Sequence, residues 1–166
     1  EAFHWIDLKT NFFQESYRVL KPNGTLAIWA YKYAIFKNAP IATKLSRDFR
    51  MNLMAPYLAK GNYIVNNLYK DITFPEELYQ NVQREIHDEE NNDDKSQHLA
   101  VNWNLSQYGN YLRTLSFYTN YLEKNPNAED LVDELISNMK EAEGWNGDEL
   151  LAISFCSVLI LAEKKP

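Results

Sequence analysis

The stretch DLKTNFFQESYRVLKPNGTLAIWAY, residues 7–31, decides how this chain is read. Leu8, Phe12, Phe13, Val19 and Leu20, with Tyr17 beside them, recur at close to helical spacing, so residues 7–20 are expected to form a helix with one face on a sheet. Lys21-Pro22-Asn23-Gly24 stops that helix, because proline cannot continue it and Asn-Gly favours a tight turn. Thr25 to Tyr31 then reads as a short, apolar strand buried on both faces, the usual state in a parallel sheet. Helix, turn and buried strand together are the α-then-β half of a βαβ unit.

Working outward, residues 35–70 read as irregular helix, interrupted near Pro40, Pro56 and Gly61. Phe74 to Leu78 has the look of a helix start, and Val82 to His87 of a strand. The polar run 88–95 is expected to be a solvated loop; it lacks the glycine of a calcium-binding loop. Leu105 to Leu122 carries an amphipathic stripe and is expected as one helix, with Asn104 as its cap. Ala128 to Ala142 reads as another helix, and Leu150 to Ala162 as a long final strand. There is no internal repeat and no low-complexity linker, so one domain is expected from the 166 residues.

Composition excludes several classes. With a net charge of −6 and scattered Lys and Arg, the chain lacks the basic cluster that binds phosphates, and no nucleic-acid partner is expected. No apolar run approaches the roughly 20 residues of a membrane-spanning helix, so no membrane partner is expected either. One cysteine, Cys156, lies inside the last apolar run and reads as a core thiol of a reducing compartment, hence a cytoplasmic location. Eleven Tyr and four Trp suit a site for a small, partly apolar ligand, and a tyrosine-rich core accounts for them equally well. Oligomeric state is not legible. Paired-cysteine zinc motifs, HExxH, GxSxG, P-loop and GxGxxG patterns are all missing, and the five glycines are dispersed. His4, His87 and His98 lack metal-ligand spacing, so no metal site is expected.

Two blocks carry a resemblance. Ala2-Phe3-His4-Trp5-Ile6-Asp7, then Phe13, then Arg18-Val19-Leu20-Lys21-Pro22-Asn23-Gly24-Thr25-Leu26-Ala27-Ile28-Trp29, resembles the segment from the end of the fourth strand through the fifth in type 11 class I methyltransferases. Tyr111-Leu112-Arg113-Thr114-Leu115-Ser116-Phe117-Tyr118 resembles a helix of the trans-aconitate methyltransferase-like subgroup. The resemblance implies an α/β fold: the C-terminal part of a Rossmann-like class I methyltransferase sheet with a final antiparallel strand and added helices. Residues 1–166 would then be the C-terminal portion of a single methyltransferase domain, without its N-terminal half that binds S-adenosylmethionine. Glu1 stands where the motif is already under way, so the chain is expected to begin at a break. Asn23 replaces the commoner glycine of KPGG, a mild departure because asparagine tolerates left-handed turn geometry. The glycine-rich loop and the acidic residue that hold the cofactor in the family have no counterpart here.

The resemblance also implies site residues. Ligands of open α/β sheets lie beyond the carboxyl ends of the strands, so Glu1, His4 and Trp5 would line the methionine end of S-adenosylmethionine, with His4 also the catalytic candidate. Trp5 packing on the following helix is the alternative. Tyr31, at the end of the strand, and Arg113 would meet a small-molecule substrate, Arg113 because a guanidinium pairs with a carboxylate such as that of trans-aconitate. An internal salt bridge of Arg113 is the competing expectation, and Trp29 is expected in the core. The function implied is a methyltransferase acting on a small molecule. A truncated, non-enzymatic methyltransferase-like remnant is the alternative, and an acidic helical interaction module is a third.

Overall fold

The computed structural model describes residues 2–6, 11–90 and 99–166. Glu1, Asp7 to Thr10 and most of the polar run after Glu90 lie outside the described residues, and with them the expectations placed there. The main elements, in chain order, are α1 (Phe12–Val19), β1 (Thr25–Phe36), α2 (Pro40–Asp48), α3 (Lys60–Asn66), β2 (Tyr79–His87), β3 (Ala100–Trp103), α4 (Leu105–Arg113), α5 (Ser116–Lys124), α6 (Leu131–Glu143) and β4 (Leu151–Lys164). A 3-10 turn, Phe3–Trp5, precedes α1.

The four strands form one sheet of order β1-β4-β2, with β3 also on β4. β4 is its central strand: Leu151 to Ser154 pair antiparallel with β3, and Ser157 to Lys164 pair antiparallel with β2. The Lys164 amide donates to the Gly24 carbonyl and the Lys37 amide to the Ala152 carbonyl, so β1 also runs antiparallel to β4. The strand read from Thr25 to Tyr31 therefore does share a sheet with the last strand. The neighbour that β1 has here is antiparallel, however, where burial on both faces had pointed to a parallel one. Its first half alternates: Ile28 and Ala30 are buried, while Trp29 is 56% exposed. Trp29 is thus not the core residue expected. Period-2 geometry sends neighbours to opposite faces, and only one face of this stretch is covered. β4 is buried on both faces, as its unbroken apolar run implies; Ile153, Phe155, Cys156, Val158 and Ile160 are all core.

Contacts divide the chain into two compact units, one of residues 1–32, 61–98 and 157–166, the other of 33–60 and 99–156. In the first, α1 packs through aromatic edges: Phe12 and Phe13 meet Phe3, and Phe13 and Phe74 meet Tyr79. Ser16 ties the helix to Tyr79 through a 2.7 Å hydroxyl–hydroxyl hydrogen bond. Val19, expected on the packed stripe, is exposed. The Pro22-Asn23-Gly24 turn forms as read, with Asn23 in the left-handed region at φ 59°. A Cβ at Gly24 would lie 2.8 Å from the Lys21 carbonyl oxygen, which explains the glycine. Phe74 to Leu78 is a turn leading into β2 rather than a helix.

In the second unit β1 ends as a sheet edge whose amides are satisfied by α2. Ala34 N–H donates to Ser46 Oγ at 3.1 Å and Phe36 N–H to Thr43 Oγ1 at 2.9 Å. Side chains here replace a strand partner, which blunts the edge. Pro40 opens α2 at a position where its missing N–H costs nothing. A π-helical turn, Phe49–Leu53, follows, then a short 3-10 turn around Pro56. Asn104 caps α4 through a full capping box with Gln107, as expected of that asparagine. The single helix expected over 105–122 is two, because Thr114 and Leu115 break it and Leu115 is extended. Asp130 caps α6 and Gly144, at φ 69°, ends it. Among the described residues no helix is long and apolar enough to cross a membrane.

Candidate functional site

The residues singled out before α1 form a tight corner in the first unit. His4 is 7% exposed, and its Nδ1 shares a 2.9 Å hydrogen bond with the Tyr69 hydroxyl, also buried. The His4 ring lies 4.7 Å from the Trp5 ring, tilted by 50°. Trp5 is 52% exposed. Of the two, Trp5 offers the open surface and His4 stands behind it.

Two residues with no motif around them shape this corner. A Cβ at Gly61 would sit 2.6 Å from the His4 carbonyl oxygen and 2.9 Å from Trp5 Cε3, so only glycine lets α3 approach so closely. Tyr69 lies just past the end of α3. The helix closes in a Schellman pattern: Tyr69 N–H bonds the Ile64 carbonyl, and Leu68 N–H the Val65 carbonyl. Leu68 and Tyr69 both take positive φ, 51° and 54°, where glycine is the usual choice. Two buried non-glycine residues in that region cost of order 1 kcal/mol each or more and persist only when their surroundings hold them. The surroundings are visible here: Phe3 packs edge-on to Tyr69 at 5.3 Å, and His4 takes its hydroxyl. A hollow of about 240 Å³ adjoins Tyr69, lined also by Tyr63, Ile64 and Asn67. Sequence signals for Gly61 and Tyr69 were slight, because their partners lie more than 50 residues away.

Tyr31 is half-buried in β1, and the neighbouring Lys32 Nζ donates to the Asn66 carbonyl at 3.1 Å, a cation at the C-terminus of α3. Arg113 belongs to the second unit. Its Nε donates to Asp130 Oδ2 at 2.8 Å and its Nη2 to Asp133 Oδ1 at 2.6 Å. Asp130 also accepts a short hydrogen bond from the Tyr118 hydroxyl and the Val132 amide at 2.9 Å. Burial, followed by the Asp130 carboxylate, pushes the Tyr118 phenol up to about 12. For Asp130, burial acts upward but is outweighed by the Tyr118 and Arg113 hydrogen bonds, which hold the carboxyl below its ordinary 3.8. The guanidinium is therefore engaged within the chain, by one of the two kinds of partner the sequence offered. An open groove of about 480 Å³ lies in the same unit, between the π-helical turn and α6, lined by Phe49, Leu53, Leu131 and Leu135 with Asp48 and Glu134.

The glycines bear on cofactor fit. Gly24 and Gly61 are packed against backbone, a Cβ at Gly109 would lie 3.2 Å from Arg113 Nη1, and Gly144 and Gly147 serve turns. Gly24, Gly61 and Gly109 are therefore held by packing. Trp5 and Trp29 each expose more than half of their surface. No cluster of His, Cys, Asp or Glu among the described residues has the geometry of a metal site.

A solved structure from Anaeromyxobacter dehalogenans, described as a "Putative Type II Methyltransferase", matches this architecture over 100% of the chain with a TM-score of 0.72 and 18% sequence identity. The fold is methyltransferase-like. The chain spans 63% of the length of that structure. No family model matches the sequence.

Proposed function

We propose that this chain is the C-terminal part of an S-adenosylmethionine-dependent methyltransferase acting on a small molecule. The observation that carries the reading is the sheet. Its central, largely buried last strand runs antiparallel to β1, and the chain matches a methyltransferase-like structure along its whole length. The residue blocks around Trp5 and Gly24 resemble the same class independently of the coordinates.

In this reading the cofactor supplies an electrophilic methyl group on a positively charged sulfur. Its adenosine end would be held by the glycine-rich loop of the family, which has no counterpart in this sequence. Trp5 lines the methionine end, with His4 behind it. Trp5 contributes an aromatic surface that tolerates the cation, and His4 keeps the indole in place from its buried side. Methyl transfer is an in-line displacement, so positioning and exclusion of water are the contributions asked of the protein. Tyr31, at the far part of the exposed stretch of β1, faces the substrate. Arg113, in the second unit, is considered by itself: a carboxylate there takes the place of Asp133, whose side chain is 78% exposed, while Asp130 stays bonded.

The test is methyl transfer by the 166-residue chain and by the same chain carried with its upstream coding sequence, each offered S-adenosylmethionine and a panel of small carboxylic acids. Transfer by the longer protein alone supports the reading. If neither protein transfers a methyl group or binds the cofactor, the chain is a methyltransferase-like fold without the activity.

A further inference from the structure

We propose that Tyr69 and Gly61 are positioning residues for Trp5, and that the three make a preformed aromatic platform for a cationic ligand group of the sulfonium or ammonium class. The inference rests on the placement of Trp5 at the methyl-donor end, but its own observations concern rigidity. A tryptophan more than half exposed is ordinarily free to change rotamer. Trp5 is not in that position. His4 lies against its ring at 4.7 Å, and His4 is fixed in turn by the 2.9 Å hydrogen bond to a buried tyrosine. From α3, Gly61 brings its backbone so close that a single added carbon would fall within 2.9 Å of the indole. The left-handed pair Leu68 and Tyr69 turns the chain at the end of α3, and the Tyr69 hydroxyl there meets His4. An aromatic surface held this way costs little further ordering when a cation settles on it, which is how preorganisation raises affinity.

The experiment uses the 166-residue chain labelled with 15N at its four tryptophan indoles, with Trp5 assigned by Trp5→Phe. Two measurements are made: indole order parameters, and the shifts produced by trimethylsulfonium with tert-butanol as an uncharged control of similar shape. In the wild type, Trp5 should be about as ordered as rigid backbone, roughly 0.85, and should shift with trimethylsulfonium but not with tert-butanol. In Tyr69→Phe, which keeps the ring and loses only the hydroxyl, the Trp5 order parameter should fall towards about 0.6 and the sulfonium response should weaken several-fold. Trp29, exposed to a similar 56%, serves as the internal reference and should respond less than Trp5. Gly61→Ala should move the Trp5 resonance even without ligand. The proposal is overturned if Trp5 keeps its order and its sulfonium response in Tyr69→Phe, or if trimethylsulfonium and tert-butanol act alike. A Trp5 that behaves as described in a protein whose longer form transfers no methyl group would leave the platform standing and remove the methyltransferase reading.

Discussion

Asp130→Ala should destabilise the second unit, and its size follows from three contacts. The carboxylate accepts the Val132 amide at 2.9 Å, capping α6, and loss of such a cap costs about 1 kcal/mol. It also accepts the Tyr118 hydroxyl and pairs with Arg113 at 2.7 Å. The Arg113 and Asp130 side chains are 33% and 36% exposed, so solvent screens the pair and each of these contacts is worth about 0.5–1 kcal/mol. The sum is roughly 2–3 kcal/mol, or a fall in Tm of about 5–10 °C in a chain of this size. Asp133→Ala, at a side chain 78% exposed, should cost less than about 0.5 kcal/mol. Thermal denaturation followed by circular dichroism measures both, and a double-mutant cycle of Asp130→Ala with Arg113→Ala should give a coupling of about 1 kcal/mol. The pH dependence has a definite sign. Asp130 is held below its ordinary 3.8 in the folded chain, so its contribution is complete above that value and is lost as pH falls below it. The difference between wild type and Asp130→Ala should therefore shrink only on the acid side of about 4. Additive single substitutions, or an Asp130→Ala no worse than Asp133→Ala, would show that Arg113 and Asp130 are not coupled in solution.

Three further outcomes are expected. Tyr108→Phe removes a buried hydroxyl that shares a 2.8 Å hydrogen bond with Ser46, and chemical denaturation should register a loss of about 1 kcal/mol. Gly144→Ala introduces no clash, since nothing lies within 4 Å of the added carbon, but φ of 69° should still cost about 1 kcal/mol in the same assay. The Tyr118 phenol, pushed up to about 12, should drop out of the tyrosine titration of the wild type near pH 10 and move down in Asp130→Ala, as ultraviolet difference spectra can follow.

Local chemistry made part of this fold legible. Pro22 and Asn23-Gly24 mark a turn wherever they stand, Asn104 three residues before Gln107 is a capping signature, and an apolar run as long as that around Cys156 has no stable place except inside. What failed to show depends on neighbours. Ala100 to Trp103 is four residues long, too short for alternation to distinguish it from loop, and is a strand because β4 supplies its partners. Thr114 and Leu115 break a helical stripe that composition alone continues. Trp29 is exposed because only one face of early β1 is covered, a fact that no single strand records. The candidate site divides the same way. His4 and Trp5 sit in a recognisable block, whereas Tyr69 reaches His4 across 65 positions and Gly61 owes its role to a carbon it lacks.

Calorimetric titration with S-adenosylmethionine decides whether these residues complete a cofactor site with a nucleotide cradle on another part of the protein, as proposed above. The chain expressed with its upstream coding sequence should bind at micromolar concentration, and the 166 residues alone no tighter than millimolar. Micromolar binding by the 166 residues alone, or none by the longer protein, would contradict it.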